Sequence, residues 1–85
     1  MCSSDLVVPL AELDAAVDRW VADILACSPL SVRATKQAAM AGLDMTLPAA
    51  GSASYEWEER RRTSADAKEG PLAFSEKRPP VWSGR

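Results

Sequence analysis

An all-α fold, about four short helices with an extended lead-in and an extended tail, is what this sequence predicts. Apolar residues recur at helical spacing from Leu10 to Cys27. Ser28-Pro29 opens an alanine-rich stretch that closes at Gly42, and Asp66 with Glu69 three residues later has the spacing of a helix start. The one β-branched stretch, Leu6-Val7-Val8, is cut off by Pro9; it suits the end of a strand or an extended approach to a helix and is too short to make a sheet here.

The first helix is the clearest. Leu10, Leu13, Val17, Trp20, Val21, Ile24 and Leu25 fall on one face, with Glu12, Asp18, Arg19 and Asp23 on the other. Ser28 is expected to accept a bond from a free backbone N–H while Pro29 supplies the first turn of a second helix, Pro29 to Ala41, so two helices meet at a tight corner. Gly42 is expected to close that helix in a left-handed conformation. Thr46-Leu47-Pro48 signals a third start, with a kink expected near Gly51 before the strongly helix-forming Glu56 to Thr63. Asp66 and Glu69 predict a capping box and a fourth helix ending near Lys77, with Gly70 and Pro71 in its first turns where they cost least. Pro79-Pro80 stops that helix and leaves Val81 to Arg85 as an extended tail.

A chain of 85 residues allows one small domain with a modest core. Its 47% hydrophobic and 26% charged residues are ordinary for a folded soluble segment. The formal charge of -2 provides no global attraction to nucleic acid, so Arg60, Arg61 and Arg62 read as a solvated helix face. No apolar run approaches the ~20 residues that span a bilayer, and no secretory signal pattern opens the chain. The expectation is a cytoplasmic protein with neither a nucleic-acid nor a membrane partner. Cys2 and Cys27 stand far apart with no histidine to complete a ligand set, so neither a metal nor a bound cofactor is expected.

No residue pattern here supports catalysis. Glu56, Glu58, Glu59, Glu69 and Glu76 sit among arginines and lysines that suit surface pairing. Ser64 and Ser75 lack an activating base, and helix capping explains Ser64 better. Trp20, Tyr55, Trp57 and Trp82 are scattered and fit core or subunit contacts rather than a stacking platform. Cys27 falls at a helix end, away from the electropositive start that activates thiols.

The closing stretch Ser64, Asp66, Glu69-Gly70, Ala73-Phe74, Glu76-Lys77-Arg78, Pro79 and Gly84-Arg85 resembles the closing motif of the enoyl-CoA hydratase/isomerase (crotonase) family. Val7-Val8-Pro9, Glu12-Leu13, Ser28-Pro29 and Thr35-Lys36 extend the resemblance over residues 7–85. It implies the carboxyl-terminal helical region that follows a core of repeated ββα units and helps to build a homo-oligomer, a trimer or a dimer of trimers. Two backbone N–H groups and one or two carboxylates in that core do the chemistry, and neither has a matching position here; the chain alone is therefore expected to be inactive. The resemblance implies coenzyme A thioester as substrate of the parent enzyme. It also implies that Phe74 and Lys77 reach the adenine and phosphate end of CoA, a ring for stacking and an ammonium for phosphate, on one side of a helix by their spacing of three. The competing reading places Phe74 in the core and Lys77 in solvent. Met1 to Leu6 departs from the family; written back as GTG TGC TCT TCC GAT CTN it reproduces the end of a common sequencing adapter. Residues 1–6 are thus expected to be a non-native leader on a cut-off reading frame. The rival reading of the whole is a naturally short, non-enzymatic helical module that binds another subunit through the Leu10 to Leu25 face.

Overall fold

The computed structural model describes residues 6–85, and every regular element among them is helical. The leader expected over residues 1–6 lies, except for Leu6, outside the described residues. A 3-10 turn at Leu10–Glu12 leads into α1 (Leu13–Leu25), followed by α2 (Pro29–Gly42), α3 (Leu47–Ser52), α4 (Glu56–Arg62) and α5 (Asp66–Ser75). The expected third helix is thus two helices. The break falls at Ala53, whose φ of -68° and ψ of 150° are extended, while Gly51 remains inside α3. Helix propensity placed the break at the glycine; in the fold it lies two residues on, and the Tyr55 hydroxyl spans it by donating to the Ala50 carbonyl at 2.8 Å.

Local chemistry accounts for most of the boundaries. Thr46 Oγ1 accepts the Ala49 N–H at 3.3 Å, with Pro48 in the first turn. α4 begins with Glu56, Glu58 and Glu59 and ends with Arg60, Arg61 and Arg62, the order that the helix dipole favours. Each glutamate meets the arginine three or four residues on, at 2.6, 2.6 and 3.6 Å. The expected surface pairing of these glutamates is therefore what the fold uses. Two boundary expectations are corrected. Ser28 starts α2 through its carbonyl, which accepts the Val32 N–H at 3.0 Å, but its hydroxyl makes no cap bond and is buried without a protein partner. Gly42 ends α2 without a left-handed residue: Leu43 continues right-handed at φ -60°.

Packing concentrates on the seam between α2 and α4. Gln37 of α2 accepts the Trp57 N–H at 2.8 Å, giving one of the free donors at the start of α4 a partner on another helix. The Arg33 and Arg60 guanidinium groups lie 5.1 and 4.9 Å from the Trp57 ring centre, within cation–π range. The buried apolar residues are Ala16, Leu30, Ala34 and Ala73, so Leu30 is the one large side chain among them.

The chain is open rather than compact. Its radius of gyration is 16.2 Å, against about 12 Å for a compact domain of this length, and it measures 43 × 39 × 19 Å. Its accessible surface of 6983 Å² exceeds the roughly 4,900 Å² expected of a compact 9.1 kDa monomer. Much of the excess is apolar: Leu13, Val17, Trp20 and Ile24, the inward stripe of α1, are about half exposed. The amphipathic pattern of α1 is present as the sequence predicts, and among the described residues nothing is laid over it beyond the Leu6 and Val8 side of the lead-in.

Candidate functional site

A dense set of side-chain hydrogen bonds joins α5 to the tail beyond it. Asp66 is 4% exposed, and its carboxylate does not cap α5. Instead its Oδ1 accepts the Ser83 N–H at 2.8 Å and the Ser83 hydroxyl at 2.9 Å, and its Oδ2 accepts the Gly84 N–H at 2.9 Å. Ser64 does the capping, accepting the Ala67 N–H at 3.1 Å while donating to the Arg61 carbonyl at 2.6 Å. The capping box expected of Asp66 and Glu69 is thus replaced by a long-range clamp. The tail is extended, as expected, but it returns along α5, where the Ala65 and Asp66 N–H groups donate to the Arg85 carbonyl at 2.9 and 3.3 Å. Gly84 makes that return possible at φ 73°, a left-handed backbone that a side chain would strain.

Glu69 completes the clamp. Its carboxylate takes a two-pronged bond from Arg78, Nη1 to Oε1 at 2.6 Å and Nη2 to Oε2 at 3.2 Å, and also accepts the Val81 N–H at 2.9 Å. Arg78 pairs with Glu76 as well. Trp82 lies against Gly70, where an added Cβ would come within 3.4 Å of the indole, and its Nε1–H donates to the Ala26 carbonyl at the α1–α2 corner at 2.9 Å. Sequence reading assigned Asp66 and Glu69 to a cap and Glu69 to surface pairing, gave Arg78 only as part of the closing motif, and so missed this role. The available signal was that Asp66, Glu69 and Gly70 share one helical face by spacing of three and four.

The clamp fixes charge states. Arg78, then the Val81 N–H, holds Glu69 down to about 2, and the Ser83 N–H leads the groups that hold Asp66 below the usual carboxylate range. The Arg61 guanidinium likewise lowers Glu58. A general base for neutral pH needs a value near 7, so these carboxylates stay ionised as structural acceptors. Because both clamp carboxylates release protons more readily folded than unfolded, the unfolded chain binds more protons as acid is added. The tail is therefore expected to be fully held above about pH 4.5 and to come away as pH falls toward about 2. The NMR signal of the Trp82 indole N–H checks this; an unchanged, exchange-protected signal at the acid end contradicts it.

The candidate ligand residues lie just beside the clamp. Phe74 is on the last turn of α5 and 87% exposed, so this chain itself provides, among the described residues, no core around it. α5 closes at Ser75, short of the expected Lys77, and carries Pro71 in its interior, beyond the first turn. Lys77 follows the helix with φ 53°, the only non-glycine residue at positive φ among the described residues. The Arg78 N–H bonds back to the Ala73 carbonyl at 3.0 Å and the Lys77 N–H to the Phe74 carbonyl at 3.2 Å, the closing pattern in which glycine ordinarily takes the left-handed place. The spacing-of-three argument for a shared helical face therefore does not apply to Lys77. Replacing Lys77 with glycine is expected to stabilise the fold by about 1 kcal/mol, read as a higher denaturant midpoint; a lower midpoint contradicts this account of the turn.

The enoyl-CoA hydratase/isomerase family model matches residues 4–85. The chain belongs to that family. Among relatives of this enoyl-CoA hydratase/isomerase family chain is the (E)-benzylidenesuccinyl-CoA hydratase of Thauera aromatica, 42% identical over 81 residues; the match covers 95% of this chain and 31% of the relative. The crystal structure of a candidate short-chain enoyl-CoA hydratase from Novosphingobium aromaticivorans superposes with a TM-score of 0.82 at 43% identity, covering 93% of this chain and 31% of that one. That of an enoyl-CoA hydratase/isomerase from Mycobacterium paratuberculosis gives 0.76 at 39% identity, over 92% and 31%. The family chain described here thus spans about a third of the length of the relatives it matches. The all-helical architecture is that of one part of the crotonase fold. An exposed ring followed by an ammonium at the end of a clamped helix can stack on a heteroaromatic base and neutralise a phosphate, without moving protons at a reacting carbon.

Proposed function

We propose that this chain is the carboxyl-terminal helical arm of an acyl-CoA enzyme that hydrates or isomerises an enoyl-CoA thioester. The arm contributes packing, homo-oligomer contacts and a CoA contact through Phe74 and Lys77, and the chemistry resides in a ββα core supplied by the rest of the enzyme. The observation that carries this reading is family membership over nearly the whole chain combined with coverage of only about a third of each relative. The open form supports it: a half-exposed apolar stripe on α1 is the expected state of a helix whose covering surface lies elsewhere. The exposure of Phe74 and the left-handed Lys77 support the CoA contact. A lysine in a left-handed conformation that glycine takes more easily is local strain of the kind that gathers at ligand sites.

Residues 7–85 joined to the core of the Thauera aromatica relative, in place of the third of that enzyme that they match, are expected to give an active CoA-thioester hydratase. Phe74→Ala with Lys77→Ala in that chimera is then expected to raise KM for the CoA thioester about tenfold or more with kcat little changed, the signature of lost uniform binding. An inactive chimera contradicts the arm assignment, and an unchanged KM contradicts the CoA contact. The same exposed α1 stripe favours the second reading, a short interaction module. That reading leaves the chimera no better than the bare core.

A further inference from the structure

Lys77 occupies a backbone conformation that costs a lysine about 1–2 kcal/mol relative to the ordinary right-handed region. Something beyond the residue itself must hold it there. Ahead of it, α5 ends in the back-bonded turn that requires the Arg78 N–H to reach the Ala73 carbonyl. Behind it, Arg78 is gripped by the two-pronged bond to Glu69, nine positions away, and by Glu76. The same Glu69 carboxylate takes the Val81 N–H, so the chain leaving Lys77 is fixed at two points on the helix that Lys77 terminates. Glu69 lies two turns before that end, and Ala73 between them is 1% exposed, so the turn sits against a buried residue.

We propose that Glu69 and Arg78 are positioning residues for Lys77: the Glu69–Arg78 fork locks the left-handed turn and so aims the ammonium at the phosphate end of a bound CoA thioester, without touching the ligand. This deepens the CoA-contact reading of the proposed function and rests on it. The fork is suited to the task because a bidentate guanidinium–carboxylate pair fixes orientation as well as distance, which a single ammonium in place of Arg78 does not.

Two measurements test the proposal. In the 85-residue chain, Glu69→Gln and Arg78→Lys are expected to speed exchange of the Arg78 amide about tenfold or more and to shift the three-bond HN–Hα coupling of Lys77 away from its left-handed value. Unaltered exchange and coupling in both variants overturn the lock. In the chimera, Glu69→Gln is expected to raise KM for (E)-benzylidenesuccinyl-CoA, the thioester after which the core's parent is named, about fivefold, while KM for the N-acetylcysteamine thioester of the same acid, which lacks the nucleotide, stays within about twofold. Added to Lys77→Ala, it is expected to raise KM no further. An equal rise for both thioesters assigns the fork a merely structural role and overturns the proposal, as does additivity with Lys77→Ala. If Lys77→Ala itself leaves both KM values unchanged, the underlying CoA contact fails instead, whatever Glu69→Gln does to the turn.

Discussion

Leu30→Ala is expected to abolish most of the helical signal of the isolated chain. Leu30 is 5% exposed at the start of α2 and lines the α2–α4 cleft with Trp57 and Ser64; no other large apolar side chain is buried among the described residues. Truncating a buried leucine costs about 2–5 kcal/mol. A small core supplies rarely more than about 3–5 kcal/mol in all, so the loss is comparable with everything that holds α2 to α4. Circular dichroism at room temperature, with the α1 substitution Leu13→Ala as a control at a half-exposed site, reads the effect. Equal and small losses in the two variants contradict the placement of the core.

Asp66→Ala is expected to free the tail. The substitution removes three accepted bonds from Ser83 and Gly84 and leaves their N–H groups without partners beside a helix. With that anchor gone, Trp82 loses the geometry that carries its indole N–H to the Ala26 carbonyl, and the link from α5 to the α1–α2 corner goes with it. The expected result is solvent-like exchange of the Trp82 indole and the Ser83 and Gly84 amides, with the Glu–Arg ladder of α4 unaffected. Asp66→Asn is expected to give an intermediate loss, since an amide accepts the Ser83 bonds but meets the Gly84 N–H with an N–H of its own if the flip favours Ser83. Retained protection in Asp66→Ala contradicts the clamp.

What the sequence made legible was local. The stripe of α1, the Thr46 cap, the corner at Ser28-Pro29 and the Glu-to-Arg order of α4 depend on neighbours within four residues, and helical periodicity and capping chemistry read them directly. Asp66 and Glu69 show where that method ends. Their spacing satisfied a capping rule, yet both carboxylates are used by groups nine to eighteen residues further on, a distance at which spacing carries no information. Lys77 hid for a related reason: nothing in Glu-Lys-Arg marks a left-handed residue, because the turn is imposed by Arg78 reaching back to Glu69 and Ala73. Phe74 was ambiguous because a lone phenylalanine is most often buried, and nothing in its spacing shows that this chain leaves it 87% exposed.

The most direct test of the central claim is turnover of crotonyl-CoA by the pure 85-residue chain. An arm that holds CoA and subunits while the chemistry resides in a separate core is expected to give no hydration above a protein-free blank at any chain concentration. Saturable turnover proportional to chain concentration, and lost when the chain is denatured, would contradict that division of labour.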